Sequence, residues 1–171
     1  MTTDRPWQIT ELRAEHCHSL AECHIGCWRE AYRGLIPDHV LDAFDIERRA
    51  EQWERIQAAV QKPAVILVAL VDDIVVGFAG IRALDEAPED RELNAMYVRS
   101  AWYGTGLAHE LMRELLDVHR NTTLWVFEEN PRARAFYRKY GFELDGARRA
   151  ERFSPSIEVR MLRPADAAPA R

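Results

Sequence analysis

No apolar run in this 171-residue chain is long enough to cross a bilayer. The longest, AVILVALV at 64–71, is cut off by Asp72 and Asp73. The N-terminal MTTDRPWQ lacks the apolar stretch of a secretory leader, so a cytoplasmic protein with no membrane partner is expected. Positive charge is not in excess either. Lys and Arg number 23 against 28 Asp and Glu, a net charge of −5, which argues against a nucleic-acid partner held by bulk charge. Cysteine is scarce: three residues, all in HCHSLAECHIGC (16–27), with no CxxC pair. On a helix Cys23 and Cys27 share a face and Cys17 lies elsewhere, so core cysteines are expected and no metal, despite His16, His18 and His24. Repeats, a linker and a P-loop Gly-Lys-Ser/Thr are also missing. One domain over 1–171 is expected, with PADAAPAR (164–171) as a loose tail.

The pattern that is present alternates strands and helices. WQITELR (7–13) has strand periodicity. Ser19 is placed to cap a helix running to about Arg33, ended by Gly34 and Pro37. A helical region follows over 38–61, with Asp38 and Asp45 as caps. Two apolar runs around Asp72-Asp73 form a β-hairpin, and Gly77 and Gly80 inside its second strand mark a bulge or a close backbone approach. LNAMYV (93–98) is a strand that ends in YVRSAWYGTGLAHELM, two glycines at the start of an amphipathic helix. That helix buries Leu107, Ala108, Leu111, Met112, Leu115 and Leu116; Glu110, Arg113, Glu114 and Asp117 face water. His119 and Arg120 suit its negative C-terminal end. TTLWVF (122–127) is a strand covered on both faces, so strand, helix and strand form a βαβ crossover with two parallel strands. Asn130 and Pro131 open a last helix that stops at Gly141, and FELDG and SIEVRML close the sheet.

Glycines at a helix start leave bare backbone N–H groups, a cradle for an anion such as pyrophosphate; a tight turn explains them equally well. NPRARAFYRKYGF (130–142) decides between the two. Asn130, Ala133, Phe136-Tyr137 and Gly141-Phe142, following the glycine-turn βαβ unit, resemble the GNAT superfamily of acyl-CoA-dependent N-acetyltransferases, small single-domain bacterial type. WREAYRGLIPD (28–38), IERRAEQW (46–53), ELDGARR (143–149) and IEVRM (157–161) are similar to its first helices and last strands.

The resemblance implies an α/β (α+β) fold, a mixed central sheet splayed between two parallel strands. It implies acetyl-CoA as co-substrate, no metal, and direct transfer to a primary amine, small-molecule or peptide, in a ternary complex. The pantetheine would pair with Met96, Tyr97 and Val98, and the pyrophosphate would meet the N–H groups of Gly104, Thr105, Gly106, Leu107, Ala108 and His109. Asn130 would hold the cofactor's arm. Tyr137 would protonate the leaving thiolate, as a phenol with an ordinary pKa of about 10 can. Its helical face also fits a core role. Glu92 is the expected base, with Asp90 and Glu128 as alternatives; in an extended segment Asp90 and Glu92 point the same way. Trp28, Arg29 and Tyr32 would shape the acceptor pocket.

Three positions depart from the family pattern. Tyr103 stands where Arg or Gln is usual before the glycine turn, Ser100 where Pro is usual, and Trp125 where some members carry a base Glu. Arg132, Arg134, Arg138 and Lys139 are candidates to supply charge instead. A non-catalytic acyl-CoA sensor of the same fold, or a protein N-terminal or lysine acetyltransferase, is the alternative function. Whether the chain works alone or as a homodimer is left open.

Overall fold

The computed structural model describes residues 5–151 and 155–167. In chain order the elements are β1 (Gln8–Glu11), α1 (Cys17–Tyr32), α2 (Asp38–Asp42), α3 (Ile46–Ala59), β2 (Val65–Val71), β3 (Ile74–Ala83) and β4 (Arg91–Val98), then α4 (Leu107–Leu115), β5 (Thr122–Phe127), α5 (Pro131–Arg138), β6 (Glu143–Ala150) and β7 (Ile157–Arg163). The seven strands form one sheet in the order β1-β2-β3-β4-β5-β7-β6. All neighbours are antiparallel except β4 and β5. This is the expected mixed sheet with one parallel pair.

That parallel pair closes over two positions only, Arg91 opposite Thr122 and Glu92 opposite Thr123. Beyond them β4 stays with β3, Tyr97 opposite Phe78 and Val98 opposite Gly77, while β5 stays with β7. The sheet therefore opens as a wedge toward the C-terminal ends of β4 and β5. A bulge at Asn94 helps turn β4 away, since Gly80 faces Ala95 but Ile81 faces Leu93. Gly80 lies against that bulge: a Cβ there would come 2.7 Å from Asn94 Oδ1. A Cβ on Gly77 would press on the Tyr97 carbonyl, at 3.1 Å. The close-approach reading of both β3 glycines holds, whereas the bulge itself lies in β4, opposite Gly80. Asp72 and Asp73 both take left-handed φ, 49° and 62°, as a two-residue hairpin turn demands.

Helices α4 and α5 cover one face. Leu107, Leu111 and Met112 are fully buried there, against Leu93, Leu124 and Phe142 among others. Truncating any of the three to Ala costs roughly 2–5 kcal/mol. Helices α1 and α3 cover the other face, where Leu20, Cys17, Cys23 and Cys27 meet Trp53, Val68 and Phe78. The cysteines are core residues, and no group of metal-binding side chains occurs among the described residues. No described helix is long and apolar enough to cross a membrane.

Several local expectations are corrected. Ser19 does not cap α1, which starts two residues earlier after a 3-10 turn; its hydroxyl instead accepts the Val75 N–H at 2.9 Å, pinning α1 to β3. The region 38–61 is two helices: Asp38 is the first residue of α2, behind Pro37, whereas Asp45 does cap α3 through the Arg48 N–H. Glu110 is not a solvated acid but accepts from Trp7 Nε1 at 2.7 Å and from Arg5. His119 and Arg120 lie beyond the end of α4 rather than in its last turn. Residues 164–167 are tied down, because buried Arg163 donates to the carbonyls of Pro164 and Ala167 and Asn121 Oδ1 accepts from Ala165 N–H. The rest of the expected tail, 168–171, lies outside the described residues.

Candidate active site

A cavity of about 1120 Å³ fills the wedge. Its walls are β4, β5 and the starts of α4 and α5, with α1 above one end and β6 and β7 at the far side.

At one end is the glycine turn. Gly104 and Gly106 hold φ of +75° and +96°, and a Cβ on either would meet nothing within 4 Å. Positive φ explains why glycine is needed, and the open space leaves bare backbone toward the cavity. Gly104, Gly106, Ala108 and His109 line it; Thr105 and Leu107 do not. The Thr105 hydroxyl donates to the Trp102 carbonyl at 2.7 Å and accepts the Leu107 N–H at 3.4 Å, while the Leu107 side chain is in the core. The six-residue cradle is thus narrower than the motif suggests. The His109 ring is also engaged, Nδ1 lying 2.6 Å from the Tyr140 hydroxyl.

Arg132 also reaches this end. Its guanidinium lies 3.7 Å from the ring centroid of Tyr103, and both residues line the cavity, as does Lys139. Arg134 turns instead to the Glu128 carbonyl, at 3.0 Å.

Midway stand Met96, Tyr97 and Val98, on the β4 edge that β5 has left. Opposite are Asn130 and Tyr137. Asn130 Oδ1 caps α5 by accepting the Ala133 N–H at 3.1 Å, and the residue also lines the cavity. Tyr137 is buried against Phe136 and Phe142 and lines the cavity too, so its core and site placements coexist. Burial, and next the Tyr97 phenol, push the Tyr137 hydroxyl well above the ordinary phenol range. Tyr32 is raised likewise, by burial first and then by Tyr97. Tyr97, itself raised by burial, is thus within electrostatic reach of both.

Of the three acids considered as base, only Glu92 lines the cavity. Asp90 precedes β4 and accepts from Asn121 Nδ2 at 3.1 Å, because the extended segment begins one residue too late to align it with Glu92. Glu128 pairs with Arg148 at 2.8 Å, outside the cavity. Arg29 is corrected as well: it points away, to the carbonyls of Leu41 and Phe44, and joins α1 to α2. Trp28 and Tyr32 do line the cavity while packing with Phe44 and Phe127.

The sequence reading missed five charged residues of the wall: Glu30, Arg82, Arg149, Glu151 and Glu158. Glu30 accepts from Arg99 Nε and Nη2 and from the Ser100 N–H at 2.8 Å. Burial alone would raise its carboxyl, but these donors hold it below the ordinary range. Arg82 pairs with Glu92 at 3.3 Å, and Arg149 pairs with Glu158 at 2.6 Å. The alternation of charge in SIEVRML was visible, but only the strand order, with β7 beside β5, brings Glu158 to the wedge.

A wedge between parallel strands, an open glycine turn at a helix start and a buried phenol in the cavity wall are the features expected of an acyl-CoA-type transferase. The sequence profile of the Acetyltransferase (GNAT) family matches residues 13–142, and the chain belongs to that family. It is similar to the N-alpha-acetyltransferase RimI of Mycobacterium tuberculosis, 38% identical over 78 residues, 44% of this chain and 49% of that one. It is also similar to the L-amino acid N-acetyltransferase AaaT of Escherichia coli, 34% identical over 87 residues, 47% of this chain and 54% of that one. Among solved structures, the PaiA N-acetyltransferase of Thermoplasma acidophilum in complex with coenzyme A shares the fold with a TM-score of 0.72 at 18% identity, over 94% of this chain and 99% of that one.

Proposed function

We propose that the protein transfers the acetyl group of acetyl-CoA to a primary amine by direct attack in a ternary complex. The observation that carries this reading is the β4 edge released by β5 beyond Glu92, running from the cavity centre toward the glycine turn.

Acetyl-CoA supplies the activated acetyl thioester; the rest is done by the chain. The backbone of Met96, Tyr97 and Val98 offers strand-like hydrogen bonds to the pantetheine amides, and an N–H near Met96 stabilises charge developing on the acetyl oxygen. The backbone N–H groups of Gly104, Gly106, Ala108 and His109 receive the pyrophosphate at the positive end of α4. Asn130 steadies the cofactor arm. An amine is mostly ammonium at neutral pH, so it must lose a proton before it attacks; Glu92 accepts it. Tyr137 donates a proton to the departing sulfur, and its raised pKa keeps it protonated until then. Trp28 and Tyr32 shape the acceptor end.

The test is thiol release from acetyl-CoA across amines, amino acids and peptides, with mass identification of the acetylated product. Acetyl transfer to at least one acceptor is expected. CoA binding without turnover on any acceptor would leave only a CoA-binding module.

A further inference from the structure

The acceptor end has a feature that amine acetylation alone does not require. Cross-strand register places Glu92, Thr123, Trp125, Phe127, Glu158 and Arg149 on one face of the sheet. Paired residues of adjacent strands point the same way, and alternate residues of one strand share a face. It is the face over which α1 lies, since the Phe127 ring packs 4.8 Å from that of Tyr32.

On this face Arg149 is held from two sides. Its Nε donates to Glu158 Oε2 at 2.6 Å, and its guanidinium carbon sits 4.2 Å from the centroid of the Trp125 ring. A guanidinium is planar, with five donors in a rigid fork. Fixing Nε and one face leaves the two terminal nitrogens as the edge that fits a carboxylate through two parallel bonds. Burial is graded in the same sense: the Arg149 side chain is 51% exposed and the Glu158 side chain 17%. The carboxylate is thus the inner support and the guanidinium the outer, presented group. All three residues line the cavity.

We propose that Arg149 binds a carboxylate of the acceptor, so that the acceptor is a free α-amino acid rather than a simple amine or an internal peptide group. The inference rests on the acetyltransferase reading and narrows its substrate. Glu158 and Trp125 are positioning residues that set the plane of the fork. The acceptor's ammonium gives its proton to a cavity carboxylate. The freed nitrogen then forms the N–C bond, the thioester C–S bond breaks, the sulfur leaves with the Tyr137 proton, and the second nitrogen proton returns to the Tyr137 oxygen as the amide forms. The acceptor carboxylate is unchanged by the reaction and serves only as the handle.

The test compares each of the twenty L-amino acids with its α-amide and with its decarboxylated amine, by kcat/KM and by calorimetric binding to the CoA-saturated protein. For the best acceptor, the amino acid should exceed its amide and its amine by at least tenfold in both measurements. Arg149→Gln should bring the three within threefold of one another. Arg149→Lys, a point charge without the fork, should restore part of the preference. Amides or peptides used as well as amino acids by the wild type would overturn the proposal and leave the transferase reading standing. An unchanged preference in Arg149→Gln would overturn it too, as would failure of every amino acid to bind. A tenfold binding preference with no turnover would support the carboxylate site and sink the transferase reading.

Discussion

The guanidinium carbon of Arg132 lies over the ring of Tyr103, 3.7 Å from its centroid, beside the glycine turn. These are one of the three positions at which the sequence departs from the family pattern, where Arg or Gln is usual, and a cation brought from α5. A tyrosine carries no charge of its own, but its ring can hold one. Stacking of this kind is worth roughly 0.5–2 kcal/mol. Tyr103→Ala and Arg132→Gln should each weaken CoA binding a few-fold, and the double variant should be no worse than the poorer single. Full additivity of the two losses in a CoA titration would show that they act separately. Gly106→Val should lose far more, since it places a branched side chain at φ +96° and in the open space before the amides. Circular dichroism of that variant distinguishes lost binding from lost fold.

Tyr137→Phe removes the hydroxyl and keeps the ring packed against Phe136 and Phe142. Thermal stability and CoA affinity should stay near wild type, with turnover lower by roughly ten- to a thousandfold. Unchanged single-turnover rates would remove Tyr137 from the chemistry.

Much of this arrangement was legible in the sequence, and the limit of legibility has a physical form. Local rules placed β5, the cap of α5 by Asn130, the Asp72-Asp73 hairpin and the glycine turn, because each depends on residues within a few positions. Ser19 failed as a cap because a distant amide, that of Val75, claimed its hydroxyl. Asp90 stood as an alternative to Glu92 until the start of β4 separated them. Arg149 and Glu158 drew no attention within the last strands, since nothing local says that β7 inserts between β5 and β6.

Glu92 is paired with Arg82 at 3.3 Å, with its side chain 15% exposed in the cavity wall. If it takes the amine's proton, Glu92→Gln should reduce kcat/KM most at low pH, where less free amine exists to bypass the base. A uniform loss across pH would indicate positioning instead. A steeper low-pH loss in Glu158→Gln would move the base to β7.

His24 is wedged among the rings of Trp28, Trp53, Phe78 and Tyr97, its centroid 5.1–6.2 Å from theirs. Its Nδ1 is buried without a hydrogen-bond partner. Burial, and secondarily the charge of Arg49, lower its pKa from the ordinary 6.5 to about 3. At pH 7 the imidazole is neutral in the folded chain and mostly neutral in the unfolded one, so it adds little pH dependence there. As pH falls below 6.5 the unfolded chain takes up a proton that the native chain refuses until about pH 3. Stability is therefore lost across this window, by up to about 1.4 kcal/mol per pH unit. His24→Phe keeps an aromatic ring in the same cage and removes the titration. Between pH 6.5 and 5, above the range where most carboxylates titrate, the wild type should lose several degrees of Tm relative to its value at pH 7.5, and His24→Phe should lose clearly less. Parallel Tm profiles for the two proteins would mean that the imidazole protonates in place and that its cage is wetter than the packing shows.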